Sequence, residues 1–400
     1  MIKIALTAIA IWIGLSQAGM AQVAPAGKGG GPVSGFDMRL YGQLAHGTGS
    51  VFVSPASIRS ALAMTLAGAR GATAKEMAQV LGVPDATAAG AQYQVLAKQI
   101  DALQSSGAMK LSIASSLWGQ QGANFEPAFL QQLRQGYGSD LLQADYRRDP
   151  EAARQKINQW VSDKTQQRIR DLLASASIRP DTQLVLVNAI YLKATWEEPF
   201  ASRMTTDGDF TTETGRLVKA KMMHNVISAT YAEDAQTQMV ELPYRGGSVV
   251  MVILLPKQNA TLGQLEESLP GALVSLQGTA TSRRVSISLP RFTLRYQADL
   301  VEPLAKMGMP LAFSTQADFS GIEEGGKLRI SNVVHQAYVE VDEEGTEAAG
   351  ATGIVMRPTA MLPVEKPVPF VADHPFVFAI VEKTTGTVLF IGRLTDPTAK

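Results

Sequence analysis

The sequence predicts an α+β fold with large antiparallel or mixed β-sheets, and three observations lead there. Apolar residues recur at helical spacing through much of the chain before about residue 180. Beyond that point, apolar and β-branched runs bounded by turn residues take over. Near the C-terminus a long stretch with neither period then separates two good strands. Helices first and strands later is the pattern of segregated α and β elements around shared sheets.

The N-terminus reads as a targeting segment. Lys3 precedes an apolar run from Ile4 to Leu15, and small residues follow to Ala18-Gly19-Met20-Ala21. That is a charged region, a short apolar region and a small-x-small cleavage site. About twelve apolar-dominated residues are too few for a bilayer, which needs about 20. Residues 1–21 are therefore expected to be a signal peptide cut after Ala21, with Ala18 as the alternative. Residues 22–35 are rich in Gly, Pro and Ala and read as a flexible leader. The expected location is exported, either periplasmic or extracellular.

The elements follow in order. Phe36 to Leu44 has helical spacing. Val51-Phe52-Val53 is a short apolar run, after which Ser57 is expected to cap a helix from Ile58 to Ala69. Ala74 to Leu81, Gln92 to Leu103 and Glu151 to Leu173 are also helical by period. The predicted strands are Leu184 to Leu192, Met239 to Leu242, Val249 to Leu255, Val285 to Leu289 and Val333 to Val341, with a helical stretch at Leu300 to Met307. Phe376 to Val381 and Val388 to Ile391 flank the turn residues of a hairpin. Gly350 to Pro369 has almost no periodicity and contains four prolines, Pro358, Pro363, Pro367 and Pro369. A loop of about twenty residues inside a compact domain is typically functional or disordered.

Composition narrows the function. Lys plus Arg and Asp plus Glu number 36 each, so bulk charge points to neither a nucleic-acid nor a membrane-surface partner. The chain has no cysteine, which removes thiol catalysis, thiolate metal sites and a lipoprotein anchor. Fold stability then rests on core burial, which a chain with 46% hydrophobic residues can supply. The four histidines, His46, His224, His335 and His374, form no HExxH or other short ligand pair. There is no GxSxG elbow and no SxxK motif, and the glycine run Gly29 to Gly31 follows no strand. A serine hydrolase assembled over long distances stays open, because spacing does not address it. Neither a cofactor nor a metal is expected.

The remaining constellation is Val341 to Gly353, VDEEGTEAAGATG. From Gly345 onward every residue but Glu347 is small and uncharged. Successive side chains of a strand face opposite sides of a sheet. If this segment became a strand, one side would carry Thr346, Ala348, Gly350 and Thr352 toward a core, while Glu347 stayed in water. Composition alone fits a flexible Ala/Gly linker equally well.

Other segments carry a family resemblance. Phe52-Val53-Ser54-Pro55-Ala56-Ser57-Ile58 resembles the FxSPxSI segment of the serpins. Val187 to Trp196, with Pro199-Phe200, resembles their strand ending in a buried tryptophan. Asp318 to Ile322 and Ser331 to Ala337 lead into the hinge as in that family, and Phe370 to Phe378, closed by Phe390-Ile391-Gly392-Arg393, resembles its C-terminal signature. The matches run in family order from about Phe36 to Pro397. The resemblance implies one domain over 36–400, with about nine helices, three β-sheets and an exposed reactive-centre loop at about 344–368, in a metastable native state whose loop inserts into the main sheet once cleaved. It also implies a serine-type endopeptidase inhibitor that acts as a suicide substrate, not an enzyme, and a monomer; a non-inhibitory binding protein on the same fold is the alternative.

The resemblance implies site residues as well. Glu344, Gly345, Thr346, Glu347, Ala348, Ala349, Gly350, Ala351 and Thr352 would form the hinge. Ser54, Ser57, Asn188 and His335 would form a polar cluster beneath the parting strands, with Trp196 where the loop enters. The family's usual spacing from Gly345 puts the bait bond at Thr359-Ala360; Ala360-Met361 and Met361-Leu362 stay open. Arg357 is a poor choice because Pro358 follows, fixing φ and lacking an N–H on the leaving side. Thr359-Ala360 implies a target protease with a small or medium apolar pocket, elastase- or subtilisin-like.

Overall fold

The structure, a computed structural model, describes residues 35–107, 109–325, 328–346 and 366–399. The expected signal peptide, all but the last residue of the leader, hinge residues Glu347 to Thr352 and the bond Thr359-Ala360 lie outside the described residues.

Two sheets stacked face to face organise the chain. The first has six strands in the order Phe292–Asp299, Ile330–Val341, Gly345–Thr346, Leu184–Thr195, Met109–Gln120 and Leu141–Ala144. Leu184–Thr195 is apolar almost throughout because it is covered on both faces. The second sheet has nine strands. Within it the 17-residue strand Leu217–Glu233 pairs in turn with Thr206–Thr211, Thr281–Pro290 and Thr237–Pro243. Two smaller sheets thus share this one strand, which accounts for an expectation of three.

Eight α-helices occur among the described residues. Their packing follows from which sheet face offers apolar surface. Leu192, Ala194, Val339 and Val341 of the first sheet meet Met251, Ile253, Ile287, Phe378 and Phe390 of the second in the central core. The helix Pro55–Gly68, with Gly35–Leu44 and Gly71–Leu81, fills one end of that sandwich. Pro150–Lys164 covers the outer face of the six-stranded sheet through Ile157 and Val161, and Leu262–Thr279 covers the outer face of the other through Leu265, Leu269, Leu273 and Leu276.

Several expected boundaries shift. The helix expected from Ile58 begins at Pro55, and its cap is Ser54 rather than Ser57: the Ser54 hydroxyl accepts the Ser57 N–H, and Pro55 is pre-set for the first helical position. The helix expected to run to Leu173 ends at Lys164, because Gln166 and Gln167 take left-handed conformations with φ of 52° and 63°. Ile169, Leu172 and Leu173 remain buried beyond that break, which kept the apolar pattern going without the helix. Four long elements had no counterpart in the sequence reading: the strands Met109–Gln120 and Leu217–Glu233 and the helices Pro127–Tyr137 and Leu262–Thr279.

Candidate functional site

Within the six-stranded sheet, Ile330–Val341 and Leu184–Thr195 run parallel and pair directly from Ile330 and Leu184 up to Tyr338 and Tyr191. Beyond that point they part. The chain leaves Val341, reverses over Asp342 to Glu344, and Gly345–Thr346 returns between the separated ends. Thr346 there pairs antiparallel with both Val341 and Ala194.

Short-range chemistry fixes this reversal. One Asp342 carboxylate oxygen accepts the N–H groups of Glu344 (2.9 Å) and Gly345 (3.1 Å), the local turn that Asp favours. Burial raises the Asp342 pKa, while those two N–H bonds oppose the shift. Gly345 has no substitute here, since a Cβ would overlap the carbonyl oxygen of Ala194. The Glu343 side chain accepts from the Thr205 hydroxyl (2.6 Å) and pairs with Arg291 (3.3 Å). Its carbonyl accepts from the Phe200 N–H, and that of Glu344 accepts from the Trp196 N–H.

Two aromatic side chains close the end of the gap. Trp196 stacks on Tyr244 with ring centroids 4.5 Å apart and donates its indole N–H to the Asp342 carbonyl. The Tyr244 hydroxyl and the Thr346 hydroxyl share a 2.7 Å hydrogen bond. Thr346 is fully buried, and burial pushes the Tyr244 pKa up despite that bond.

Lower in the same seam, the other expected residues come together in one hydrogen-bonded cluster. His335 and Asn188 are register partners across the parallel pair. The Ser54 backbone N–H donates to His335 Nε2 (3.2 Å), so that nitrogen must accept. Nδ1 is left to donate to Asn188 Oδ1 at 2.7 Å, which assigns the neutral tautomer. Asn188 Nδ2 donates to the hydroxyl (2.6 Å) and carbonyl of Ser57, and the Ser54 hydroxyl donates to the Leu389 carbonyl. Burial pushes the His335 pKa down to about 3, partly offset by the Asn188 bond. The histidine holds two strands and a helix N-terminus together.

Of the expected site residues, Glu344, Gly345, Thr346 and Trp196 meet at the hinge, and Ser54, Ser57, Asn188 and His335 meet under the seam. Sequence reasoning had Asp342 and Glu343 inside the segment Val341 to Gly353 without a role for either, and it missed Thr205, Tyr244 and Arg291. The Asp342-to-Gly345 turn carried a local signal, Asp followed by Gly; the others arrive from turns and strand ends with no spacing to mark them.

Comparison with known proteins adds to this geometry. A family model described as serpin (serine protease inhibitor) matches residues 33–397. The bovine leukocyte elastase inhibitor is 40% identical over 365 residues, covering 87% of this chain and 93% of its own. Among solved structures, Serpin48 of the insect Tenebrio molitor superposes with a TM-score of 0.81 at 31% identity, over 90% of this chain and 96% of that one. Human thyroxine-binding globulin complexed with thyroxine superposes at 0.82 with 27% identity, over 91% of this chain and 97% of that one.

Proposed function

The chain belongs to the serpin family, and from that premise we propose that it inhibits a serine endopeptidase as a suicide substrate. Family membership and relatives named as elastase inhibitors support protease inhibition in general. The observation that carries the finer reading is the hinge: Gly345–Thr346 lies as a short antiparallel strand where the two parallel strands part.

The protease serine attacks the bait carbonyl, an ester forms, and the leaving-side amine departs with the C-terminal fragment. The freed segment beyond Thr346 then continues the strand already begun. Each added residue exchanges one parallel ladder, Ile330–Val341 on Leu184–Thr195, for two antiparallel ones, a pairing slightly more stable per residue. Thr346 faces the core, so the same parity turns Ala348, Gly350 and Thr352 inward and leaves Glu347 in water. Because the Asn188–His335 bond crosses the seam, it breaks as the strands separate. Insertion that outpaces ester hydrolysis traps the protease; slower insertion releases it.

The bond Thr359-Ala360 is part of this proposal, with an elastase- or subtilisin-like target. So are export through a signal peptide over residues 1–21, a leader over 22–35 followed by one domain over 36–400, and a monomeric state. Incubation with pancreatic elastase or subtilisin, followed by denaturing electrophoresis, tests the function. A covalent complex that survives the detergent is the expected result. Complete cleavage of the loop without any complex contradicts it and favours a binding protein on the same fold.

A further inference from the structure

The helix Pro150–Lys164 spends one face on the six-stranded sheet, where Ala153, Ile157 and Val161 are buried. Along the flank of that face run two pairs of residues at i,i+4 spacing, Lys156 with Trp160 and Gln159 with Asp163. Trp160 is half-buried, while Lys156, Gln159 and Asp163 are exposed. Between this flank, the strand Met109–Gln120 and the edge strand Leu141–Ala144 lies a cleft of about 370 Å³, an ordinary size for a small-molecule site.

Two tryptophans form an apolar corner in this cleft. Trp118 is buried in the strand, and its indole N–H donates to the Ser116 hydroxyl at 2.8 Å, which fixes the ring. Trp160 meets it edge to face, with centroids 5.9 Å apart and planes at 82°. The rim around them is polar and balanced. The Lys156 ammonium lies 6.0 Å from the Trp118 centroid and donates to the Gln143 carbonyl at 2.9 Å. The Gln159 amide donates to the Asp163 carboxylate at 2.8 Å, and the exposed Gln143 side chain completes the rim. One cation, one carboxylate and two amides supply both donors and acceptors without net charge. An anion would meet Asp163 there and a cation would meet Lys156, so the rim favours an uncharged ligand. An aromatic wall with a few convergent polar groups is the make-up of a small-molecule site.

We propose that this cleft binds one sugar unit of a neutral oligosaccharide. The C–H bonds on the face of a pyranose ring carry slight positive charge, which suits the negative face of an indole. Its hydroxyls both donate and accept, which matches a rim of amide, carboxylate and ammonium groups. Trp160 supplies the stacking face, Trp118 closes the corner, and Gln143, Gln159 and Asp163 take the hydroxyls. None of the hinge residues lines the cleft, and binding is measured without any protease, so the proposal does not depend on the inhibitory reading.

Calorimetric titration of the full chain with maltose, cellobiose and N,N′-diacetylchitobiose in turn tests the site. Saturable binding of at least one, with a Kd of about 1 mM or tighter, is expected, and the sugar that binds identifies the source glycan. Gln159→Ala with Asp163→Ala removes two exposed rim groups and leaves both tryptophans in place; it is expected to weaken binding about tenfold or more. Gln155→Ala, on the same helix but outside the cleft, is expected to leave binding unchanged. Cyclohexanol, a ring with a single hydroxyl, is expected to bind far more weakly than the sugar. Three results overturn the proposal: no saturable binding of any of the three sugars, equal weakening by Gln155→Ala, or cyclohexanol binding as tightly as the sugar.

Discussion

The hydroxyls of Thr346 and Tyr244 lie 2.7 Å apart in a fully buried setting, joining the first inserted residue of the hinge to a turn 102 residues earlier in the chain. The contact turns the Thr346 side chain inward. A buried hydroxyl needs a partner, and each of these two supplies the other's. This bond adds to the ladder pairs of Gly345–Thr346 in seating the hinge, with Gly345 allowing the close approach to Ala194 and Asp342 holding the reversal.

Thr346→Arg is expected to convert inhibitor to substrate. A charge would have to enter the core beside Tyr244, whose hydroxyl would lose its partner at a cost of about 1–3 kcal/mol. Slower insertion lets ester hydrolysis win. Titration of elastase with the variant should show several molecules cleaved for each protease trapped, against near one for the parent.

His335 makes stability pH-dependent in a definite direction. Its folded pKa, about 3, lies below the ordinary value of 6.5 because the ring is buried. The unfolded chain therefore binds a proton that the native state refuses between those values. This contribution is fully present above pH 6.5 and is lost as pH falls toward 3, at up to about 1.4 kcal/mol per pH unit. Denaturation from pH 7 to pH 4 should show a shallower fall for His335→Gln than for the parent. Parallel curves would remove His335 as the cause.

Much of this fold was legible where burial is uniform, and illegible where it alternates for reasons outside the strand. Leu184–Thr195 is covered on both faces and reads as an unbroken apolar run. Met109–Gln120 carries Ser112, Ser115 and Ser116, and Ser115 accepts from Asn188, so its serines hid a strand that serves the seam. Leu217–Glu233 changes partners along its length, and its burial pattern changes with them. Pro270 obscured the helix Leu262–Thr279. At the site, the family motifs named Asn188 and His335, but only strand register explains why residues so far apart in sequence touch. Tyr244 and Arg291 reach the hinge from turns, and no local periodicity announces them.

Cleavage should also locate the bait bond. Mass spectrometry of the fragment released from the elastase reaction is expected to begin at Ala360. A start at Met361 or Leu362 would move the bond by one or two residues and point to a different pocket. A start N-terminal to Thr352 would leave too little chain to insert and would contradict the trapping mechanism.

The central claim is that the strands of Asn188 and His335 must part for the protein to work. The chain has no cysteine, so a single disulfide can lock that seam. Val187 and Val334 are register partners on the same face as Tyr191 and Tyr338, within the range of strand spacing that a disulfide spans. In the variant Val187→Cys with Val334→Cys, the oxidised protein should be cleaved by elastase without forming a detergent-stable complex, and reduction should restore the complex. Equal complex formation by the oxidised and reduced forms would contradict insertion between these strands.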